Sequence, residues 1–215
     1  MTEAANFDRL ARAYRWMETL TFGPLLMRMR CAMLSEIHDC RRALVLGDGD
    51  GRFTARLLET NPGISIDAVD ASAAMLTELR CNAGPHAERV HTHLADAREW
   101  QPPRTDYDLI VTHFFLDCLT GEEVHALAAR LRETCVPGAR WVVSEFAVPH
   151  GWFGAVIAQP LVALLYRTFG LLTGLRVRRL PDHRSALEKA GFKPADETKR
   201  LHGLLVSELW RLQNL

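Results

Sequence analysis

The sequence lacks both a net charge and the cysteine patterns that hold small domains together. Its 26 basic residues are matched by 26 acidic residues, so no overall field favours nucleic acid or an anionic bilayer. Its five cysteines are never spaced as C-x-x-C, which argues against a disulfide framework and a structural zinc site. We therefore expect free thiols in a reducing cytoplasm, no metal and no nucleic-acid partner.

The sequence also lacks a secretory signal and an uninterrupted membrane span. Residues 1–10 contain acidic side chains and no apolar h-region, so we expect no signal peptide. Residues 146–166 contain no Asp, Glu, Lys or Arg and approach the length of a span. Pro149 and Pro160 would interrupt a spanning helix, however, so this segment predicts a buried or interfacial helix instead.

Apolar runs of strand length alternate with helical patterns from residue 43 onward, which is typical of a parallel sheet covered by helices. Thr120 and Glu123 have the spacing of a helix capping box. The predicted strands are 43–46, 64–69, 89–94, 109–112, 140–146, 192–198 and 204–212. The predicted helices are 53–59, 72–80, 122–135 and 182–190, with a turn at Pro137 and Gly138 before the fifth strand.

Additional helical segments flank this core. Two helices are expected at 6–20 and 24–39, and the apolar stretch 152–175 is expected to form a lid. The fold class is thus α/β, a Rossmann-like, mostly parallel seven-stranded sheet with helices on both faces and a helical insertion after the fifth strand. The single predicted domain divides into N-terminal helices (1–41), a cofactor-binding core (42–147), a lid (148–191) and closing strands (192–215).

A glycine-rich turn, Gly47-Asp48-Gly49-Asp50-Gly51, follows the first predicted strand and precedes a helix. Open α/β sheets bind ligands at this edge, and glycine lets the backbone turn sharply and approach a ligand closely. We therefore expect these five residues to contact a nucleotide-type cofactor. The alternative is a tight turn that binds nothing.

Spacing and charge indicate which cofactor the turn would bind. The dinucleotide fingerprint G-x-G-x-x-G would need its third glycine where Arg52 stands, and there is no G-x-x-x-x-G-K-[ST] phosphate loop. Asp48 and Asp50 would repel a pyrophosphate but attract the ammonium and sulfonium charges of S-adenosylmethionine. The sequence therefore favours S-adenosylmethionine over NAD, ATP or GTP.

Acidic residues also follow the second and third predicted strands. Asp70 lies nineteen positions after Gly51, where Rossmann-like sites place an acceptor for ribose hydroxyls, and Ala71 is beside it. Asp96, followed by Ala97, is a candidate acceptor for the adenine amino group. The alternatives are a helix cap for Asp70 and an exposed turn for Asp96.

Four segments, in this order, resemble class I S-adenosylmethionine-dependent methyltransferases. They are VLGDGDG at 45–51, AVDAS at 68–72, LADA at 94–97 and DYDLIVTHFFLD at 106–117. The resemblance implies a methyltransferase. More loosely, NFDRLARAYRWME at 6–18 and LPDHRSALEKAGF at 180–192 are similar to the C-methyltransferases of ubiquinone and menaquinone biosynthesis.

The chain departs from this family at one position of the cofactor site. Val45 stands where the family usually has an acidic residue that helps hold the methionyl ammonium of the cofactor. Asp48 or Asp50 is expected to supply the missing negative charge. By resemblance, Tyr14 and Trp16 would close over the cofactor, although helical spacing alone favours packing roles for them.

His113 is the candidate general base, and a candidate for the cofactor site, because it follows the fourth strand at the ligand-binding edge. A packed histidine that only lines the pocket is the alternative, and Asp117 has the same two interpretations. Other residues expected near this cavity are Glu145, His150, Trp152 and His183.

The apolar stretch 152–175 predicts a small, hydrophobic methyl acceptor. It also leaves open a peripheral membrane contact, in which Arg176, Arg178 and Arg179 would touch lipid headgroups, or a homodimer interface. Three other functions stay open beside methyl transfer to such an acceptor. They are a quinone-type C-methyltransferase, a nucleotide-dependent oxidoreductase and a non-catalytic protein that binds the cofactor.

Overall fold

A computed structural model describes residues 24–149, 151–152, 154–161 and 180–213 of the chain. The strands are β1 (Arg42–Leu46), β2 (Ser65–Asp70), β3 (Val90–Leu94), β4 (Tyr107–His113), β5 (Cys135–Phe146), β6 (Phe192–Arg200) and β7 (Leu205–Leu212). The α-helices are α1 (Pro24–Arg30), α2 (Arg52–Thr60), α3 (Ala73–Ala83), α4 (Gly121–Arg132) and α5 (His183–Lys189). Short 3-10 segments lie at Leu34–Ile37, Gly84–Arg89, Leu116–Cys118 and Leu201–Gly203, and a π-helical segment at Gly154–Ala158.

The seven strands form one sheet in the order β3-β2-β1-β4-β5-β7-β6. β1 to β5 pair in parallel, and β7 is antiparallel to both β5 and β6. The predicted Rossmann-like, mostly parallel seven-stranded sheet is thus confirmed. Leu46 pairs with Val69 of β2 and Thr112 of β4, so these three strands end together at one edge of the sheet.

The central strands are buried on both faces, as parallel strands between two helical layers must be. On one face, Phe53 of α2 belongs to a core cluster with Val45 and Val111. On the other face, Leu127 of α4 belongs to a cluster with Trp141. The side chains of each central strand therefore pack alternately into two cores, one on each face of the sheet. Polar side chains at the ends of these strands are assigned to one face or the other in the same way.

Side-chain caps fix where three helices begin. The Ser72 hydroxyl accepts from the third residue of α3, and the Asp182 carboxylate accepts from Ser185 N (3.0 Å) in α5. At α4, Thr120 N donates to the Glu123 carboxylate (2.8 Å) and Glu123 N donates to the Thr120 hydroxyl. The predicted capping box is therefore confirmed.

Some predicted boundaries are wrong. The helix expected over 24–39 ends at Arg30, because the chain then turns towards β1 and the Asn61 amide donates to the carbonyl of Cys40 (2.6 Å) in that irregular stretch. The predicted helix 122–135 ends at Arg132, and β5 begins at Cys135. The turn at Pro137 and Gly138 lies inside β5 as an irregularity, and regular pairing with β4 resumes at Arg140.

Several predictions concern residues outside the described ones. These are the helix 6–20 with Tyr14 and Trp16, His150, most of the lid 152–175, and Arg176, Arg178 and Arg179. The division into four segments, the peripheral membrane contact and the homodimer stay predictions. Among the described helices, none is long and apolar enough to cross a membrane.

Candidate functional site

The glycine turn after β1 is tightly packed and needs its glycines. Gly47, Gly49 and Gly51 have φ values of 66°, 64° and 77°, which other residues adopt at a cost. A Cβ on Gly47 would lie 2.4 Å from the Phe115 ring, and one on Gly51 would lie 2.4 Å from the Leu79 side chain. The nearest atom to a Cβ on Gly49 is 3.8 Å away. The outer glycines therefore serve packing, and Gly49 leaves room above the turn.

Asp48 points into the protein beneath this turn. One carboxylate oxygen, Oδ2, accepts from Thr54 N (2.9 Å) and the Thr54 hydroxyl (2.7 Å). The other, Oδ1, is buried and has no hydrogen-bond partner among the described residues. Burial raises the pKa of Asp48 to about 6, against the opposing charge of Arg30. An unpaired buried carboxylate oxygen is costly, so the site is suited to a cationic ligand group.

His113 lies in the same buried region, at the end of β4. Its side chain is almost fully buried, its ring stands edge-on to Phe53 at 4.4 Å, and neither ring nitrogen has a hydrogen-bond partner among the described residues. Burial, together with the nearby positive charge of Arg30, holds the pKa of His113 well below its ordinary value. His113 is therefore a neutral imidazole at physiological pH, with one donor and one acceptor unused.

Asp50 is occupied by a different interaction. Its carboxylate pairs with Arg52 Nε (2.9 Å) at the start of α2, and its carbonyl accepts from Asn82 Nδ2 (2.8 Å). Val45 is buried in the apolar core. Of the two aspartates expected to replace an acidic residue at Val45, Asp48 is therefore the better placed.

Asp70 ends β2 beside the glycine turn, where the sequence predicts it. Burial raises the pKa of Asp70 to about 6, the charge of Asp48 raises it further, and the backbone N–H groups of Ser72, Gly49 and Ala71 oppose the shift. Its Oδ1 accepts from Ser72 N at 2.8 Å. The helix-capping residue is Ser72 rather than Asp70, so Asp70 keeps acceptor capacity next to Gly49 and Ala71.

Asp96 and Ala97 follow β3, where Asp96 is half-buried and Ala97 is buried. Both oxygens of Asp96 accept from Arg98 Nε at 2.9 Å, and these hydrogen bonds lower the pKa of Asp96. The Ala97 carbonyl accepts from Arg130 Nη2 (2.6 Å) and ties this turn to α4. The proposed role of Asp96 at adenine therefore competes with its pairing to Arg98.

Glu145 lies at the end of β5 and is buried. Its Oε1 accepts from Phe115 N (3.1 Å) and Leu116 N (2.8 Å), while Oε2 is buried without a partner among the described residues. Burial and the nearby Asp117 carboxylate raise the pKa of Glu145 well above its ordinary value. Glu145 thus shapes the loop after β4 and retains one unused polar atom.

A cavity of about 810 Å³ opens beside Glu145, at the carboxyl end of β5. His183 lines it, as the sequence predicts, but Trp152 is largely exposed and lies outside the lining. Sequence reasoning missed Glu208 of β7, which lines the cavity and accepts from His183 Nε2 at 3.0 Å. The sequence does contain a signal for this residue, because Glu208 is a charged residue in a mostly apolar predicted strand.

Sequence comparison identifies the segment that carries the glycine turn. Residues 43–138 match the family described as "Methyltransferase domain". This segment is therefore similar to methyltransferase domains. The match covers β1 to the start of β5, and therefore Asp48, Asp70, Asp96 and His113.

Curated relatives match the chain over short segments. Polyamine aminopropyltransferase 2 of Bacillus anthracis is 31% identical over 91 residues, 38% of this chain and 25% of that protein. The tRNA1(Val) (adenine(37)-N6)-methyltransferase of Escherichia coli is 34% identical over 77 residues, 34% of this chain and 31% of that protein. The chain thus spans only a quarter to a third of the length of these relatives.

A solved methyltransferase has the same fold along nearly the whole chain. It is the Burkholderia thailandensis 1,6-didemethyltoxoflavin-N1-methyltransferase, bound to 1,6-didemethyltoxoflavin and S-adenosylhomocysteine. Its TM-score is 0.68 at 18% identity, over 98% of this chain and 88% of that chain. These matches do not show the looser resemblance to the quinone C-methyltransferases, which stays a prediction.

Proposed function

We propose that this protein transfers a methyl group from S-adenosylmethionine to a small acceptor molecule. The observation that carries the proposal is the buried, unpartnered Oδ1 of Asp48 beneath the glycine turn. A carboxylate in this position attracts an ammonium group and repels a pyrophosphate. The same observation disfavours the nucleotide-dependent oxidoreductase.

The residues around the turn fit the chemical groups of this cofactor. Asp48 would hold the methionyl ammonium, and the buried guanidinium of Arg30 would face the methionyl carboxylate. Asp70 would accept from the ribose hydroxyls, with Asp96 and Ala97 near adenine. When bound, the cofactor supplies a methyl group on a positively charged sulfonium that a nucleophile displaces in line. The chain would contribute positioning and the exclusion of water.

We propose a small acceptor with an apolar body, in preference to a nucleic acid. The Escherichia coli relative is named for methylation of tRNA, but acidic and basic residues balance in this chain and give no field that favours a polyanion. The cavity beside Glu145 is partly walled by Val143, Val206 and Val148, which suits an apolar body. A cytoplasmic location stays part of this proposal.

Calorimetric titration with S-adenosylmethionine, S-adenosylhomocysteine and NADH tests the cofactor. We expect saturable binding of the first two and none of NADH, with a loss of at least about tenfold in affinity in Asp48→Asn and Asp70→Ala. Asp106→Asn is the matched control, because Asp106 pairs with Arg42 and Arg104 at the opposite edge of the sheet. Binding of NADH alone would favour the oxidoreductase.

A non-catalytic cofactor-binding protein is the second candidate, because the acidic residue usual at Val45 is missing. Release of S-adenosylhomocysteine across a panel of small acceptors decides between the two functions. Turnover with any acceptor supports the methyltransferase. Tight cofactor binding without turnover across the panel supports the non-catalytic protein.

A further inference from the structure

The cavity beside Glu145 combines apolar walls with polar groups. Its boundary is formed by the end of β5, the connection from β6 to β7, the start of β7 and the start of α5. Val143 and Val206 form part of an apolar wall, while Glu145, His183 and Glu208 contribute polar atoms. A cavity of about 810 Å³ has the size of sites that bind drug-sized molecules.

His183 and Glu208 form a hydrogen-bonded pair in this cavity. Glu208 is 3% exposed, and its Oε2 accepts from His183 Nε2 (3.0 Å) and Trp210 Nε1 (2.8 Å). The indole N–H fixes the carboxylate, and the carboxylate fixes the histidine with its proton on Nε2. The other ring nitrogen, Nδ1, is then left with a lone pair that can take a proton.

The groups around this pair determine the protonation state of Glu208. Burial raises the pKa of Glu208, but the hydrogen bonds and charges of His183, Trp210 and Arg184 outweigh burial and lower it. Glu208 is therefore a carboxylate at neutral pH, and its negative charge lies beside the His183 ring, 3.0 Å from Nε2. The Arg184 guanidinium pairs with both Glu208 and Glu197, so its charge is shared between two carboxylates.

Glu145 provides a second polar contact on the cavity wall. Oε1 is used by the backbone N–H groups of Phe115 and Leu116, and Oε2 is buried without a partner among the described residues. Burial and the nearby Asp117 carboxylate raise the pKa of Glu145 well above its ordinary value, which favours the protonated carboxyl, a form that can donate a hydrogen bond.

Phe115 connects the cavity wall to the cofactor turn. Phe115 donates its N–H to Glu145 (3.1 Å), and the Phe115 ring occupies the space into which a Cβ of Gly47 would project. The backbone of Phe115 thus contacts Glu145 while its ring packs at the glycine turn. His113 cannot serve this cavity, because it packs against Phe53 in the core on the other face of the sheet.

We propose that this cavity binds the methyl acceptor, that the acceptor carries a phenol- or enol-type hydroxyl, and that His183 takes the hydroxyl proton. The inference rests on the proposed methyl transfer. In that step the acceptor oxygen forms the new bond to the methyl carbon, and the carbon–sulfur bond breaks with its electron pair left on sulfur. The hydroxyl proton moves to Nδ1 of His183, and Glu208 stabilises the resulting imidazolium.

The arrangement suits an acidic hydroxyl better than other acceptors. A proton acceptor such as histidine works best on a group whose pKa is close to its own range, which favours phenols and enols over aliphatic alcohols. A neutral amine can attack without first losing a proton and needs no such pair. Lys199 and Arg200 also line the cavity, and their positive charges favour a bound phenolate.

The experiment uses 4-nitrophenol, whose ionised form absorbs visible light. The full chain is saturated with S-adenosylhomocysteine, and the absorbance of bound 4-nitrophenol is followed between pH 5 and pH 8. We expect the apparent pKa of bound 4-nitrophenol to lie about one unit or more below its value in water. His183→Gln and Glu208→Gln should each abolish most of this shift.

The control is His91→Gln, because His91 is an exposed histidine on β3, at the opposite side of the sheet. It should leave the shift unchanged. If His183→Gln does not fold, Glu208→Gln, which keeps the side-chain size, gives the same comparison.

Cofactor calorimetry on the same samples separates the two proposals. Cofactor binding together with no 4-nitrophenol binding, or with an unchanged shift in both variants, overturns the acceptor site and leaves methyl transfer standing. Failure of the wild type to bind S-adenosylmethionine overturns the proposed function, and the acceptor site with it. Cofactor binding with a shift that depends on His183 and Glu208 supports both.

Discussion

Two carboxyl groups beside the glycine turn, those of buried Asp48 and half-buried Asp70, should make cofactor binding depend on pH. The pKa values of Asp48 and Asp70 are both about 6, so each carries about half a proton at pH 6 before the cofactor binds. An ammonium beside Asp48 and ribose hydroxyls on Asp70 both favour the ionised carboxylate. We therefore predict that binding of S-adenosylmethionine at pH 6 releases about one proton in total.

Calorimetry in buffers of different ionisation enthalpy measures this release, because the observed enthalpy changes linearly with the protons exchanged. At pH 6 the amino group of the cofactor, with an ordinary pKa near 8, is already protonated and adds almost nothing. Asp48→Asn should lower the release to about half a proton, and Asp106→Asn should not change it. Below pH 6, affinity should fall about tenfold per pH unit for each of the two groups.

Two results would refute this reasoning. No proton release by the wild type at pH 6 would mean that the cofactor does not contact these carboxyl groups. An unchanged release in Asp48→Asn would mean that Asp48 does not hold the ammonium, even if the cofactor binds. At pH 8, where both groups are already ionised, little release is expected, and this measurement checks that the effect comes from Asp48 and Asp70.

Four further predictions concern stability. Gly51→Ala should destabilise the fold by about 2–4 kcal/mol in urea unfolding, since its Cβ would lie 2.4 Å from Leu79. Gly49→Ala, with no atom closer than 3.8 Å, should cost only about 1 kcal/mol from its left-handed backbone. Ser72→Ala should cost about 1 kcal/mol in the same assay, because the hydroxyl caps α3. Asp48→Asn should stabilise the cofactor-free protein at pH 7 by up to about 3 kcal/mol. The raised folded-state pKa makes the ionised form costly only above about pH 4 to 6, so thermal melts at pH 4 should show little gain.

The cofactor side of the site could be predicted because its signals are local in sequence. A strand, a glycine turn and a helix lie within twenty residues, and the positive φ values of the turn favour glycine at Gly47, Gly49 and Gly51. Asp70 follows from the fixed spacing between successive strands. The same local reasoning could not separate Asp48 from Asp50, because it depends on which carboxylate turns inward and which meets Arg52.

The acceptor side could not be predicted because it depends on long-range pairing. Val143 of β5 lies opposite Glu208 of β7 in the antiparallel register, and this register together with the position of α5 brings Glu208 to His183. Strand patterns predict that β7 exists but not which neighbour it pairs with. Arg30 is a similar case, since its burial near Asp48 follows from the packing of α1.

Phe114 lies between His113 and Phe115, whose side chains pack on opposite faces of the sheet. Its φ is 52°, a left-handed conformation that costs a residue with a side chain about 1 kcal/mol. The hydrogen bond from Phe114 N to Ser144 O (2.7 Å) and the Arg30 guanidinium over its ring hold it there. His113, before it, lies in the core beside Phe53, whereas Phe115, after it, meets Gly47 and Glu145. The strained residue thus reverses the chain at the edge where the cofactor turn and the proposed acceptor cavity meet, which is where backbone strain has a functional use.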